Sequence, residues 1–294
     1  MIDPYIQQIL VTIGIGVILA LGLTIVTGLT GQLSLGHAAF MSIGAFTSAL
    51  LTIHTPLPFT LNLLLSGIFT AFVAALIGWP ILRLSGDYLA ICTLGFAEIV
   101  KVVFLNLDIT NRALGLTVPH PSTALPLPAL VWTVAVIMLT ATSFIASSRL
   151  GRAFKAIRDD ETAAGSTGIN PTLYKVQAFA IGGFMAGVGG GLYAHFISYI
   201  NPSDFGFMKS VDILSMVVLG GLGSVPGAFL GAIVLAAAPE LLRFMAQYRM
   251  LVYGILLVLL MIFRPNGLLG GINFTDIFMK AMGRRPERHP GSRV

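Results

Sequence analysis

Three ionisable side chains inside long apolar stretches are the first candidates for chemistry. Glu98 and Lys101 sit three residues apart, the spacing that puts two side chains on one helix face. At 1.5 Å per residue, Glu98 lies roughly 18 Å along such a helix from Gly86, near the middle of a bilayer. Unpaired charge there is costly, so the pair either neutralises itself or faces an aqueous interior. A functional role and a purely structural ion pair fit that placement equally well. Asp87 follows Ser85 and Gly86 and reads first as a cap on the helix start. His37, His54, His120, His195 and His289 have neither the spacing nor the Cys or carboxylate company of a metal site, and none is assigned as a ligand. The lone Cys92 has no partner for an internal disulfide and reads as a buried structural thiol. No G-x-x-x-x-G-K-[ST], G-x-S-x-G or H-E-x-x-H pattern occurs. The expectation is a chain that does no covalent chemistry and carries no cofactor or metal of its own.

The elements that must hold these residues are membrane helices. Hydrophobic residues make up 56% of the 294 and charged residues 10%, against roughly a quarter charged in an ordinary soluble domain. A bilayer core needs about 20 predominantly apolar residues per crossing. Windows of that kind run over Ile6–Thr27, His37–Ile53, Thr60–Leu84, Asp87–Asn106, Ala129–Ser147, Val176–Ile200 and Leu241–Phe263. A further one, Val211–Ala237, is interrupted by GGLGSVPG. The fold class expected is an all-α polytopic membrane bundle of about 8–10 transmembrane segments, broken or re-entrant helices included. Met1 to Gln8 carry no Lys or Arg, so the first run is expected to stay as a helix rather than be a cleaved leader.

Basic residues concentrate between Arg149 and Lys175 and in the tail from Arg264. In a membrane chain this clustering marks the cytoplasmic side and not a nucleic-acid partner. If both regions share one side, an even number of crossings separates them, so Val211–Ala237 dips in and returns. Gly220, Gly221, Gly223, Pro226 and Gly227 supply the reversal. The N-terminus then lies outside. Domain organisation follows: a transmembrane region over 1–270 with a cytoplasmic loop at 149–175, and a basic cytoplasmic tail over 271–294.

A second interruption, GLTGQLSLG from Gly28 to Gly36, loosely echoes the first. Paired interruptions point to a translocation path built from broken helices, whose unwound backbone offers carbonyls and amides to a solute. Gly31, Gly36, Gly220, Gly223 and Gly227 are its backbone candidates and Glu98 its side-chain candidate. Gly183, Gly187 and Gly191 recur at four-residue spacing, the pattern that lets membrane helices pack backbone to backbone. Gly151–Thr167 reads as one short amphipathic surface helix, stopped by Gly168 and Pro171.

Five segments in order carry a resemblance: GLTGQLSLGHAAFMSIGAF, SGDYLAICTLGFAEIVKVV, GRAFKAIRDDETAAGSTGIN, MVVLGGLGSVPGAFLGA and FRPNGLLG. Over roughly Thr27 to Gly270 the chain resembles the LivM-type permease subunit of bacterial branched-chain amino acid ABC importers. The resemblance implies a permease in the bacterial inner membrane, working by alternating access. Its implied partners are a LivH-type second permease, two ATP-binding subunits that bind the ATP, and a periplasmic substrate-binding protein. It also implies that Arg152 to Gly168 docks on an ATPase. There Glu161, Ala163, Ala164 and Gly168 resemble the EAA-type loop, with the glycine one residue farther on than usual, and Arg152, Lys155 and Arg158 either steer docking or are simply the positive-inside signal. Related systems carry urea or short amides, and an ion-coupled secondary transporter relaying through Asp87, Glu98 and Lys101 is the alternative from another class.

Overall fold

The computed structural model describes residues 3–84, 86–119 and 126–241, together with 254, 255, 258 and 267. The expected span to Phe263 lies almost wholly outside the described residues, as do the tail 271–294, His120 and His289. Helix α1 (Pro4–Leu23) runs on as one π-helical turn, Thr24–Leu29. It is followed by α2 (His37–His54), α3 (Phe59–Ile81), α4 (Asp87–Asn106) and α5 (Leu127–Ser147). Two short helices follow, α6 (Arg149–Asp159) and α7 (Glu161–Ser166), then α8 (Pro171–Ile197), α9 (Phe207–Gly220) and α10 (Val225–Leu241). Among the described residues, five helices are long and apolar enough to cross a membrane: α1 with its π turn, α3, α4, α5 and α8. This is an all-α polytopic membrane protein.

Local signals explain the starts. Asn170 accepts from the Leu173 amide at 3.3 Å and Pro171 opens α8, a cap followed by the residue whose missing N–H costs nothing there. Prolines 126 and 128 likewise bracket the start of α5. The stretch expected to be one surface helix over Gly151–Thr167 is two. Asp160 is extended (φ −157°, ψ 113°), and its Oδ1 accepts from the Thr162 and Ala163 amides at 2.8 and 3.0 Å, which starts a new helix. An aspartate followed by free amides is itself a helix-start signal, and here it outweighs continuation of α6.

The bundle is built around α8, which packs along α2 and α3 and also touches α1. A Cβ on Gly183, Gly187 or Gly191 would stand 2.6 Å from Ala74 Cβ, 2.5 Å from Thr70 Oγ1 and 2.8 Å from Leu63 Cδ2, so that face lies directly on α3. Gly190 meets the Met41 carbonyl of α2. Lipid tails are as apolar as leucine, so close van der Waals contact and interhelical hydrogen bonds hold these helices together. Asn62 Nδ2 donates to the Ser48 carbonyl at 3.1 Å, and Thr52 Oγ1 lies 2.9 Å from His195 Nε2. Such bonds contribute on the order of 0.6 kcal/mol each.

The helices define two ends. The loop end carries α6 and α7. At the far end a two-residue antiparallel ladder, which the sequence did not suggest, joins β1 (Leu116–Thr117) to β2 (Tyr199–Ile200), pairing Leu116 with Ile200 and Thr117 with Tyr199. Asn201 Nδ2 and the Tyr199 hydroxyl donate to the carbonyls of Ala113 and Leu114 at 2.9 and 2.8 Å, pinning the α4–α5 connection to the end of α8.

Candidate translocation and coupling site

The two glycine-rich interruptions meet. After the π turn the chain is irregular from Thr30 to Gly36, and the α9–α10 reversal occupies Gly221 to Ser224. A Cβ on Gly28 would stand 2.9 Å from the Gly223 nitrogen, so the two backbones touch. Gly31 (φ +72°) and Gly223 (φ +86°) adopt left-handed backbone that a side chain would strain. Both also face Arg158 of α6: its Nη1 donates to the Gly28 carbonyl at 2.6 Å and reaches the Leu222 carbonyl at 3.5 Å. A guanidinium on carbonyls at the end of a helical turn is a charge-assisted contact aided by the helix dipole. One surface side chain thus ties both interruptions together.

The remaining glycine candidates are packing-limited. Gly220 and Gly227 face each other across α9 and α10, each blocked by the other's carbonyl. Gly36 abuts Thr93 of α4, whose hydroxyl accepts from the Leu35 amide at 3.0 Å. The Ala38 amide donates to Ser210 Oγ at 3.1 Å, linking the start of α2 to α9. Gln32, inside the irregular segment, is buried, and neither side-chain amide atom has a hydrogen-bond partner among the described residues. Such a group carries its full desolvation cost until water or solute satisfies it.

At the loop end α6 buries Ala153, Phe154 and Ile157 against the bundle and leaves Arg152 outward, with Lys155 half-buried. Phe154 meets Tyr174 of α8 edge-on at 6.3 Å. Glu161 pairs with Lys175 at 2.6 Å, and the lysine is nearly buried, so this carboxylate clamps α7 to the start of α8. Ala163 is exposed, Ala164 buried, and Gly168 (φ +88°) exposed at the exit from α7. Hydrogen bonds from the Thr162 side chain and the Ala163 and Thr162 amides hold the Asp160 carboxyl below its ordinary range.

Glu98 and Lys101 form an ion pair at 3.3 Å on the outer side of α4, with side chains 47% and 29% exposed. They stand beside exposed Ile91, Ile99 and Val102. Thr93 is on the buried face that touches Gly36, whereas Glu98 lies off that face. The structure therefore brings Gly31, Arg158 and Gly223 together and leaves Glu98 apart from them.

The sequence reading passed over a cavity of about 380 Å³ between α1, α8, α9 and α10 toward the far end. It is lined by Lys209 and Asp212, three residues apart on α9, by Tyr193 of α8, and by aliphatic side chains. Lys209 Nζ lies 5.4 Å from the Tyr193 ring centroid. Lys209 and Asp212 form no direct ion pair among the described residues. Their i, i+3 spacing is the signal that singled out Glu98 and Lys101, and it was there to be read.

Comparison with known proteins assigns the chain. The branched-chain amino acid transport system / permease component family matches residues 5–263. The high-affinity branched-chain amino acid transport system permease protein LivM of Salmonella typhimurium is 39% identical over 291 residues, covering 86% of this chain and 67% of the relative. The corresponding LivH protein of Escherichia coli K12 is 30% identical over 287 residues, 86% of this chain and 90% of the relative. The ribose import permease protein RbsC of Haemophilus influenzae is 26% identical over 275 residues, 84% of this chain and 80% of the relative. No solved structure matches. The chain belongs to the branched-chain amino acid transport permease family.

Proposed function

We propose that this chain is one membrane permease of an ATP-driven importer for branched-chain amino acids, paired with a LivH-type second permease. Two ATP-binding subunits and a periplasmic binding protein complete the assembly, and ATP is bound by those partners. The loop 149–175 and the tail 271–294 face the cytoplasm, the region 1–270 forms the permease, and the membrane is the bacterial inner membrane. The observation that carries this reading is Arg158, which leaves a surface helix and holds the carbonyls of both helix interruptions. A push on α6 and α7 is thereby delivered to Gly28–Gly36 and Gly220–Gly227 as a rigid-body displacement.

Arg152, Lys155, Ala163 and Gly168 offer the outward contacts for an ATPase, while Glu161 and Ala164 seat α7 on the bundle. Gly31, Gly36, Gly220, Gly223 and Gly227 shape the gate. Gly183, Gly187 and Gly191 keep α8 fixed against α3 while the gate moves. Glu98 serves as a strut, because its charge is already taken by Lys101.

The test is purification from native membrane in mild detergent, identification of the bound subunits by mass, and uptake after reconstitution. A second permease and an ATP-binding subunit in the preparation, with L-leucine uptake that needs ATP, is the expected result. Uptake by the chain alone, driven by an ion gradient without ATP, would replace this reading with a secondary transporter. ATP-dependent uptake of urea, a short amide or ribose in place of L-leucine would move the substrate and keep the mechanism.

A further inference from the structure

The cavity between α1, α8, α9 and α10 has the chemistry of a binding site and no role in the coupling contacts. It is large enough for a small solute, since such sites occupy roughly 300–1,000 Å³ and this one about 380 Å³. Its two charged groups, Lys209 and Asp212, are opposite in sign. Lys209 and Asp212 stand on one face of α9, and Ile213 and Met216 continue that face into the cavity. The Tyr193 ring holds the ammonium at a distance suited to a cation–π contact. The other nearby carboxylate, Asp204, is engaged by the Asn201 backbone amide at 3.1 Å in a capping box and is not among the cavity-lining residues. Ile15 and Leu19 of α1 and Leu235 of α10 supply an apolar lining.

A separated positive and negative group beside an apolar pocket matches one class of solute, an α-amino acid zwitterion with an aliphatic side chain. We infer that this cavity is a solute site in which Asp212 takes the α-ammonium, Lys209 the α-carboxylate, and the wall of Ile15, Leu19, Met216 and Leu235 the side chain. The inference rests on the importer reading above and adds a place where the solute pauses inside the permease. It also explains the open geometry of the two charges. A direct pair would take a donor and an acceptor for which the zwitterion must then compete.

The test starts with the wild-type complex, so that no folding defect intervenes. The complete importer is placed in nanodiscs without its binding protein and irradiated with the diazirine analogue of L-leucine. Label is expected on peptides carrying Ile15–Leu19, Ile213–Met216 or Leu235, suppressed by excess L-leucine. It should not be suppressed by 3-methylbutylamine, which lacks the carboxylate, or by 4-methylpentanoate, which lacks the ammonium. Label elsewhere, or equal protection by either single-charge analogue, overturns the site. The headgroup of phosphatidylethanolamine is also a zwitterion, so nanodiscs with and without that lipid are compared. Loss of label when it is present would give the cavity to lipid and overturn the inference.

Uptake then separates this site from the importer reading. In proteoliposomes, Lys209→Gln and Asp212→Asn should each lower ATP-driven L-leucine uptake by about tenfold or more, the loss of one charge-assisted contact. ATPase stimulation by the loaded binding protein should persist, and Lys209→Arg should restore most of the uptake. Undiminished uptake in both neutral variants removes the site and leaves the importer standing. Absence of ATP-driven L-leucine uptake in the wild type removes the importer reading and the site with it.

Discussion

Glu98 with Lys101 on α4 and Lys209 with Asp212 on α9 are opposite charges at the same i, i+3 spacing and differ in what they do with it. Glu98 and Lys101 reach each other at 3.3 Å on the outer side of α4, so each satisfies the other. Lys209 and Asp212 do not form a direct pair, and their face of α9 turns into a cavity with a tyrosine ring beside the ammonium. Spacing alone makes such pairs equivalent. What separates them is the surroundings: one pair lies on the outer side of its helix and closes on itself, whereas the other has open volume between four helices and stays apart.

The sharpest way to break this comparison is to remove both charges of each pair at once. Lys209→Gln combined with Asp212→Asn is expected to keep L-leucine uptake about tenfold or more below wild type, because solute needs both groups. Neutralising Glu98 and Lys101 together should leave uptake and detergent stability close to wild type, since a self-satisfied pair is replaceable by neutral groups. Recovery of uptake in the Lys209/Asp212 double variant would make the two pairs alike.

The next effect in size separates holding a solute from moving it. Arg158→Ala removes a charge-assisted bond to the Gly28 carbonyl, of a kind that contributes about 1.5–3 kcal/mol. Uptake per ATP hydrolysed should fall severalfold while photolabelling of the cavity in the absence of ATP is retained. Loss of the label in this variant would show that the loop end and the cavity are one structural unit.

A smaller effect is expected from Glu98→Gln alone. It leaves Lys101 without its partner, but both side chains are partly exposed, which limits the loss to about 1 kcal/mol. A lowered midpoint of thermal unfolding in detergent, recovered by adding Lys101→Gln, is the expected pattern. A drop in midpoint as large in the double variant would mean that the pair is not self-contained.

The smallest effect concerns the break between α6 and α7. Asp160→Ala should speed hydrogen exchange of the first amides of α7, whereas Asp160→Asn should preserve protection, because asparagine caps as well as aspartate. The folded carboxyl titrates below its ordinary range, so the charged cap's contribution is complete above that range and is lost as pH falls through the lowered value. Equal exchange in Asp160→Ala and wild type would mean that packing on α8 alone holds α7.

Much of the fold was legible. Apolar length located the five helices that are span-length among the described residues, and Asp87–Asn106 is a helix with the bounds read from the sequence. The glycine run GGLGSVPG marked the reversal between α9 and α10, and the basic stretch Arg149–Lys175 marked a non-spanning segment between α5 and α8. The break at Asp160 was missed because the helix formers of α6 were extended past a residue that caps a new start. The ladder between β1 and β2 was missed because two residues per strand leave no periodicity to detect. Lys209 and Asp212 were missed because the apolar window was drawn from Val211, which separated the lysine from its helix.

Sequence by itself determined that the chain is a membrane bundle, where its helices run, that two glycine-rich segments interrupt them, and which family it belongs to. These follow from composition, from length and from local backbone preference, each a property of neighbouring residues. Tertiary structure alone decided that the two interruptions touch, that Arg158 holds both, that Glu98 faces outward, and that Lys209 and Asp212 line a cavity. Those are relations between residues far apart in the chain, 130 positions in the case of Arg158 and Gly28. Helix faces carry no label naming the helix they will meet, and only packing supplies it.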